Sequence, residues 1–141
     1  MQTSARNTFA GTISKIITGA VNSEVQLTTK AGTTIVAIIT NRSVDSLGLK
    51  EGTKAFALVK ASWIILGKNL HQTKMSARNI LCGSVDGIDN GAVNAEISIK
   101  LPGGDTLTSI ITEHSVKSLE LKPQDHVCAA FKASNVILAV E

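Results

Sequence analysis

The sequence predicts an all-β protein built as two tandem OB-like, five-stranded Greek-key barrels, each with one short helix. Three observations carry this. The chain is written twice, each copy is a series of short β-branched runs separated by turn residues, and the one change of period in each copy falls between the third and fourth runs. Sliding the 141-residue sequence on itself pairs residues 4–69 with 76–141 without a gap, and about 28 of those 66 pairs are identical. The expected units are therefore residues 1–70 and 71–141, joined through the polar stretch "GKNLHQTKM" at 67–75.

In the first copy "NTFAGTISKII" reads as strand one, with Gly11, and Gly83 in the second copy, expected as a bend or bulge in a curved strand. "SEVQLTT" alternates Val25 and Leu27 with polar residues and reads as strand two. "TTIVAIIT" follows the turn signal "KAG" as strand three. The period then changes in "NRSVDSLGLKEG". Asn41 or Ser43 is placed to cap a helix of one or two turns, Val44 and Leu47 are three apart, and Gly48 or Gly52 ends it. "TKAFALVKA" and "SWIIL" read as strands four and five. This order is that of an OB-like barrel, and an SH3-like barrel is the structural alternative. A barrel of about 65 residues buries only some 60% of its unfolded surface, so duplication and assembly both help it. The uncharged runs "VAIIT" and "WIIL" are expected to pack one face of each barrel on another copy, or else to be core on both faces.

Composition narrows the function. The chain is 43% hydrophobic and 18% charged, as folded proteins are. It shows no leader pattern and no apolar run long enough to cross a bilayer, so the expected location is the cytoplasm. Cys82 and Cys128 align with Ala10 and Phe56 and are expected as small buried hydrophobes rather than as a disulfide or ligand pair. The net charge of +3 is uneven: residues 1–70 carry eight Lys/Arg against three Asp/Glu, and 71–141 carry six against eight. With aromatic residues at 3%, this argues against nucleic acid, which wants a basic face and stacking rings in both copies. A membrane partner has no supporting segment either.

The two copies share no cysteine, no histidine and one acid each, Glu24 or Glu96. No cation-binding cluster and no histidine-dependent catalytic site recurs, and a site private to one copy has no motif behind it. What recurs is a set of donors: Arg6/Arg78 and Lys60/Lys132; the hydroxyls of Ser4/Ser76, Thr40/Thr112, Ser43/Ser115 and Ser62/Ser134; and the amides of Asn7/Asn79 and Asn22/Asn94. Donors and cations converging without acceptors suit a small, fully ionised oxyanion. Each member also has a structural reading. Ser43 and Ser115 serve equally as helix caps, Arg and Lys as solvated edge charges, and Gly19-Ala20 and Gly91-Ala92 as turns whose backbone Asn22 and Asn94 satisfy. Glu24 and Glu96 are suited to anchoring an arginine or lysine.

The blocks "SARN", "GAVNSEV"/"GAVNAEI", "IIT..SV.SL.L" and "KAS..IL", each present twice in the same order, resemble the Mop, or TOBE-type, molybdate-binding domain. Two copies in so short a chain are similar to the two-domain molbindins. The resemblance implies molybdate or tungstate as bound ligand at subunit interfaces, no catalytic cofactor and no reaction, a homotrimer of two-domain subunits, and a role in molybdenum storage and homeostasis. Residue by residue, it implies one class of site from Ser4, Ala5, Arg6, Lys60, Ala61 and Ser62 with Thr40 and Ser43 of a neighbouring barrel. The second copy supplies Ser76, Ala77, Arg78, Lys132, Ala133 and Ser134 with Thr112 and Ser115. A second class near the threefold axis uses Val21, Asn22, Val93 and Asn94. Trp63 against Asn135, and Gly52 against Gln124, are departures between copies that leave room for different affinities. Relatives attached to transcription factors and transporters make a regulatory module acting through a separate partner the alternative. Single-stranded nucleic-acid binding is the weakest reading.

Overall fold

The computed structural model describes all residues, Met1–Glu141. The first copy forms β1 (Asn7–Thr18), β2 (Asn22–Thr29), β3 (Thr34–Thr40), helix α1 (Asn41–Leu47), β4 (Lys54–Val59) and β5 (Ile65–Gly67). The second forms β6 (Asn79–Asn90), β7 (Asn94–Lys100), β8 (Thr106–Thr112), helix α2 (Glu113–Ser118), β9 (His126–Phe131) and β10 (Ile137–Ala139). Three-residue 3₁₀ turns lie at Ala61–Trp63, Leu70–Gln72 and Ala133–Asn135. The alternation that marked strand two is the inward row Ser23, Val25, Leu27 and Thr29.

The strands form two five-stranded antiparallel sheets, ordered β10-β4-β1-β2-β3 and β5-β9-β6-β7-β8. The order corrects the expectation that each copy closes on its own fifth strand. β10 pairs with β4, Leu138 opposite Ala57, and β5 pairs with β9, Leu66 opposite Ala129. The cause is visible where the chain leaves β4. The turn Ala61–Trp63 packs against β8 of the other half, and Ala133–Asn135 packs against β3. The Ser109 hydroxyl donates to the Ile64 carbonyl at 2.9 Å, so the chain is already held on the other half before β5 begins. Ser62 and Trp63 therefore lie in a turn, and the strand read as "SWIIL" is only its last part.

One apolar cluster of 24 buried residues takes members from both halves, Val25, Leu27 and Ile35 from one and Ile97, Ile99 and Leu107 from the other. The apolar runs are thus mostly inside, and the packing of one copy on another occurs within the chain. Ile65 and Ile137, at 62% and 55% exposure, keep an outward apolar side.

Three further expectations change. The bulge in β1 falls between Ile13 and Lys15, and in β6 between Val85 and Gly87, not at Gly11 or Gly83. Those glycines allow close approach instead: a Cβ on Gly11 would stand 2.5 Å from the Thr28 carbonyl oxygen. The helix caps are Thr40 and Thr112, whose hydroxyls accept from the Ser43 and Ser115 amides at 3.0 and 3.1 Å, rather than Asn41 or Ser43. Cys82 and Cys128 are joined as a disulfide, because the β6–β9 register sets them directly opposite each other.

Candidate functional site

The β1–β4 ladder ends at the pair Asn7–Val59, and the β6–β9 ladder at Asn79–Phe131. One residue beyond each end, the chain carries Arg6 beside Lys60 and Arg78 beside Lys132. Carried one residue further, the antiparallel register sets Arg6 opposite Lys60 and Arg78 opposite Lys132, after which the chain turns away into Ala61–Trp63 and Ala133–Asn135. The alanines offer only main-chain groups to a ligand; Ala61 and Ala133 are buried at 2% and 3% exposure.

Thr40 and Ser43 are not part of that cluster. Asn22 pairs with Thr40 at the far end of β2, beside the last residues of the twelve-residue β1. At about 3.3 Å per residue, the two ends of β1 are some 35 Å apart along the strand. A single sheet cannot bring the cationic end and the hydroxyl end together. Within the chain the Thr40 hydroxyl donates to Ser43 Oγ at 2.9 Å, and Thr112 does the same to Ser115. No hydrogen bond joins either hydroxyl pair to Lys60, Ser62, Lys132 or Ser134.

The turns holding Val21 and Val93 are shaped by glycine: a Cβ on Gly19 would lie 2.6 Å from the Asn22 carbonyl oxygen, and on Gly91 2.5 Å from that of Asn94. The Asn22 and Asn94 amides were expected to satisfy these turns. Gly19 N–H donates to the Asn22 main-chain carbonyl, while the Asn41 amide donates to the Gly19 carbonyl at 2.8 Å. In the second copy the Glu113 carboxylate takes over, accepting from Gly91 N–H at 3.1 Å. Val21 and Val93, each 71% exposed, project from the turns into solvent.

Charge is distributed in an unexpected way. Arg6 pairs with Glu96 and Arg78 with Glu24, so each guanidinium reaches the acid of the other half. This is the anchoring role open to Glu24 and Glu96 in the sequence. Donation by Arg78 holds the Glu24 carboxyl below its ordinary range, against a smaller opposing effect of desolvation. The same hydrogen bond raises Arg78 further. Arg6 also edges a groove of about 400 Å³ with Glu96, Ser98 and Asp89. Lys60 and Lys132 take part in no ion pair. Lys60 Nζ stands 5.7 Å from the centre of the Trp63 ring, a hold that Asn135 cannot give Lys132.

Asn7 and Asn79, counted among the donors, have a different task. Asn7 Nδ2 donates to the Thr108 carbonyl and its Oδ1 accepts from Thr108 N–H, both at 2.7 Å. Asn79 does the same with Val36 at 2.8 Å. The last letter of each "SARN" thus bonds one half to the third strand of the other. Both residues are 2% exposed, and burial was the one property their polar type concealed.

The TOBE domain model matches residues 3–66 and 75–138. The chain is 44% identical over 140 residues to a molybdenum transport protein, ModE, of Azotobacter vinelandii, and 41% identical to the molybdenum-pterin-binding protein MopA of Rhodobacter capsulatus. Each match takes in 99% of this chain but 52% and 53% of the relative, so the chain spans about half the length of the curated relatives it matches. Among solved structures it is similar, at a TM-score of 0.95 and 45% identity over the whole of both chains, to the cytoplasmic molybdate-binding protein ModG with molybdate bound.

Proposed function

Because the chain belongs to the TOBE-domain family, we propose that it binds molybdate, or the isosteric tungstate, in a store or buffer of molybdenum in the cytoplasm, and that it catalyses no reaction. The observation that carries this reading is that Arg6 and Lys60, and likewise Arg78 and Lys132, stand one residue beyond the ends of the β1–β4 and β6–β9 ladders, with Ser-Ala before each arginine and Ala-Ser after each lysine. Both copies thus carry charged and neutral N–H and O–H donors around the same ladder end. The whole-chain likeness to a molybdate-bound structure supports the choice of anion. Molybdate at neutral pH is a fully ionised tetrahedral acceptor, and a lining of donors favours it over protonated phosphate, which needs an acceptor as well.

Each site is composite. Ser4, Ala5, Arg6, Lys60, Ala61 and Ser62 form one wall, and Thr40 with Ser43 of a neighbouring barrel the other. Ser76, Ala77, Arg78, Lys132, Ala133 and Ser134 pair likewise with Thr112 and Ser115. The Val21-Asn22 and Val93-Asn94 turns form the second class of site around a threefold axis. This division requires more than one chain, and the assembly we propose is a homotrimer of subunits made of units 1–70 and 71–141. The two Arg–Glu pairs leave Lys60 and Lys132 as the uncompensated cations, so the lysines supply most of the net positive charge to an arriving anion.

Equilibrium dialysis of the purified assembly against molybdate, tungstate, sulfate and phosphate, followed by elemental analysis, tests the reading. Retention of molybdate and tungstate at micromolar concentration, without sulfate or phosphate, is expected. Absence of retained molybdate contradicts it. Arg78→Ala and Lys132→Ala are expected to weaken binding while leaving the circular dichroism spectrum unchanged; normal binding by both refutes the residue assignment.

A regulatory reading is favoured by one fact, that relatives 34–35% identical to this chain are named as the transcriptional regulator ModE. In that case the chain acts through a separate protein, and pull-down with and without molybdate finds a ligand-dependent partner.

A further inference from the structure

Cys82 and Cys128 lie apart from the donor clusters, three ladder pairs along from Asn79–Phe131, about 10 Å at strand spacing. The core takes Val127, Ala129 and Phe131 from β9, so Cys128 and His126 stand on the opposite face. The turn Leu70–Gln72 folds back over that face: Leu70 packs on Gly67, which pairs with Cys128, and Cys128 is fully buried. His71 is thereby delivered to the sulfurs, with Nδ1 3.8 Å from Cys128 Sγ. One ligand atom from each of His71, Cys82 and Cys128 falls within 4.8 Å of the others. The His126 ring meets the His71 ring edge-on at 6.1 Å. In the first half Ala10, Phe56 and Lys54 occupy the positions of Cys82, Cys128 and His126, so this cluster is private to the second half.

We propose that Cys82, Cys128 and His71 form a redox-gated site for a thiophilic cation of the Zn²⁺ class, with the His126 imidazole beside it as the fourth ligand. Zn–S bonds of about 2.3 Å and Zn–N bonds of about 2.0–2.1 Å at tetrahedral angles set neighbouring ligand atoms roughly 3.5–3.8 Å apart. The His71–Cys128 separation already has that value. The disulfide shuts the site by using both sulfurs. Two equivalents of a small thiol open it: the S–S bond breaks, the pair is reduced to two Cys–SH, and the thiol is oxidised to its own disulfide. Binding of M²⁺ then forms two M–S bonds and releases the two thiol protons. A thiol-buffered compartment keeps the open form. The site needs no oxyanion and stands whether or not the chain binds one.

The test uses the full chain, reduced with a phosphine, desalted without oxygen and titrated with Co²⁺ and then Zn²⁺. One Co²⁺ per chain, with strong thiolate-to-metal absorption in the near ultraviolet that Zn²⁺ abolishes, is expected; the oxidised chain binds none. Cys128→Ser loses the thiolate absorption of the parent. His71→Ala, an exposed substitution that leaves the sheets intact, weakens binding by more than the roughly 10–100-fold that loss of an outer-shell partner costs. Failure of the reduced chain to bind Co²⁺, or His71→Ala binding as tightly as the parent, overturns the proposal.

Discussion

Asn79 holds both ends of its amide on the main chain of Val36, at a position only 2% exposed. Asn79→Ala leaves a buried N–H and a buried carbonyl unpaired, at about 1–3 kcal/mol each, so a loss of roughly 2–6 kcal/mol in a urea titration is expected. A loss under about 1 kcal/mol contradicts the locking role. Glu24 acts differently, through charge at the surface. Its folded pKa is depressed by Arg78, so its contribution is complete above the ordinary carboxylate value and is lost as pH falls through the lowered one. The stability gap between the parent and Glu24→Gln is therefore expected to close on acidification below about 4.5. A gap that stays constant with pH would show that the ion pair contributes nothing that protonation can remove. The pair is half open to solvent on the arginine side, so its effect is small beside that of Asn79.

At the level of elements, the strands and helices follow from the chain's own periodicity, and the exchange of fifth strands does not. β2 alternates because one face is buried, and the helix stands out because Val44 and Leu47 are spaced for it. Ile65-Leu66 and Ile137-Leu138 are identical, so side-chain pattern makes either dipeptide fit either sheet. What decides is where the preceding turn is held, and that depends on Ser109 and β8, far away in sequence. The repeated donor residues stood out because both copies carry them, whereas the arginine pairings across halves needed the packing of one half on the other. The disulfide was hidden for a similar reason, since only the β6–β9 register places the two cysteines together. Exchange makes a sharp expectation. Leu138→Ala, a cavity mutation at a buried site costing about 2–4 kcal/mol, should speed amide hydrogen exchange in β4 of the first half before β9 of its own half. Earlier loss of protection in β9 contradicts the observed pairing.

For the molecule as a whole, strand exchange and a shared core make the two halves one unit, with a cationic cluster at one end of each long strand and a hydroxyl pair at the other. About 35 Å of strand separates those ends, and no hydrogen bond within the chain joins a lysine of one kind of cluster to a hydroxyl of the other; the proposed site is completed by a neighbouring subunit. On that proposal, assembly and anion binding stand or fall together. The most direct measurement is a crystal of the chain grown with molybdate, with anomalous scattering recorded at the molybdenum edge. Peaks beside Lys60 and Lys132, each also touched by the Thr40–Ser43 or Thr112–Ser115 hydroxyls of another subunit, are expected. Molybdenum bound wholly within one chain, or away from both lysines, contradicts the composite site.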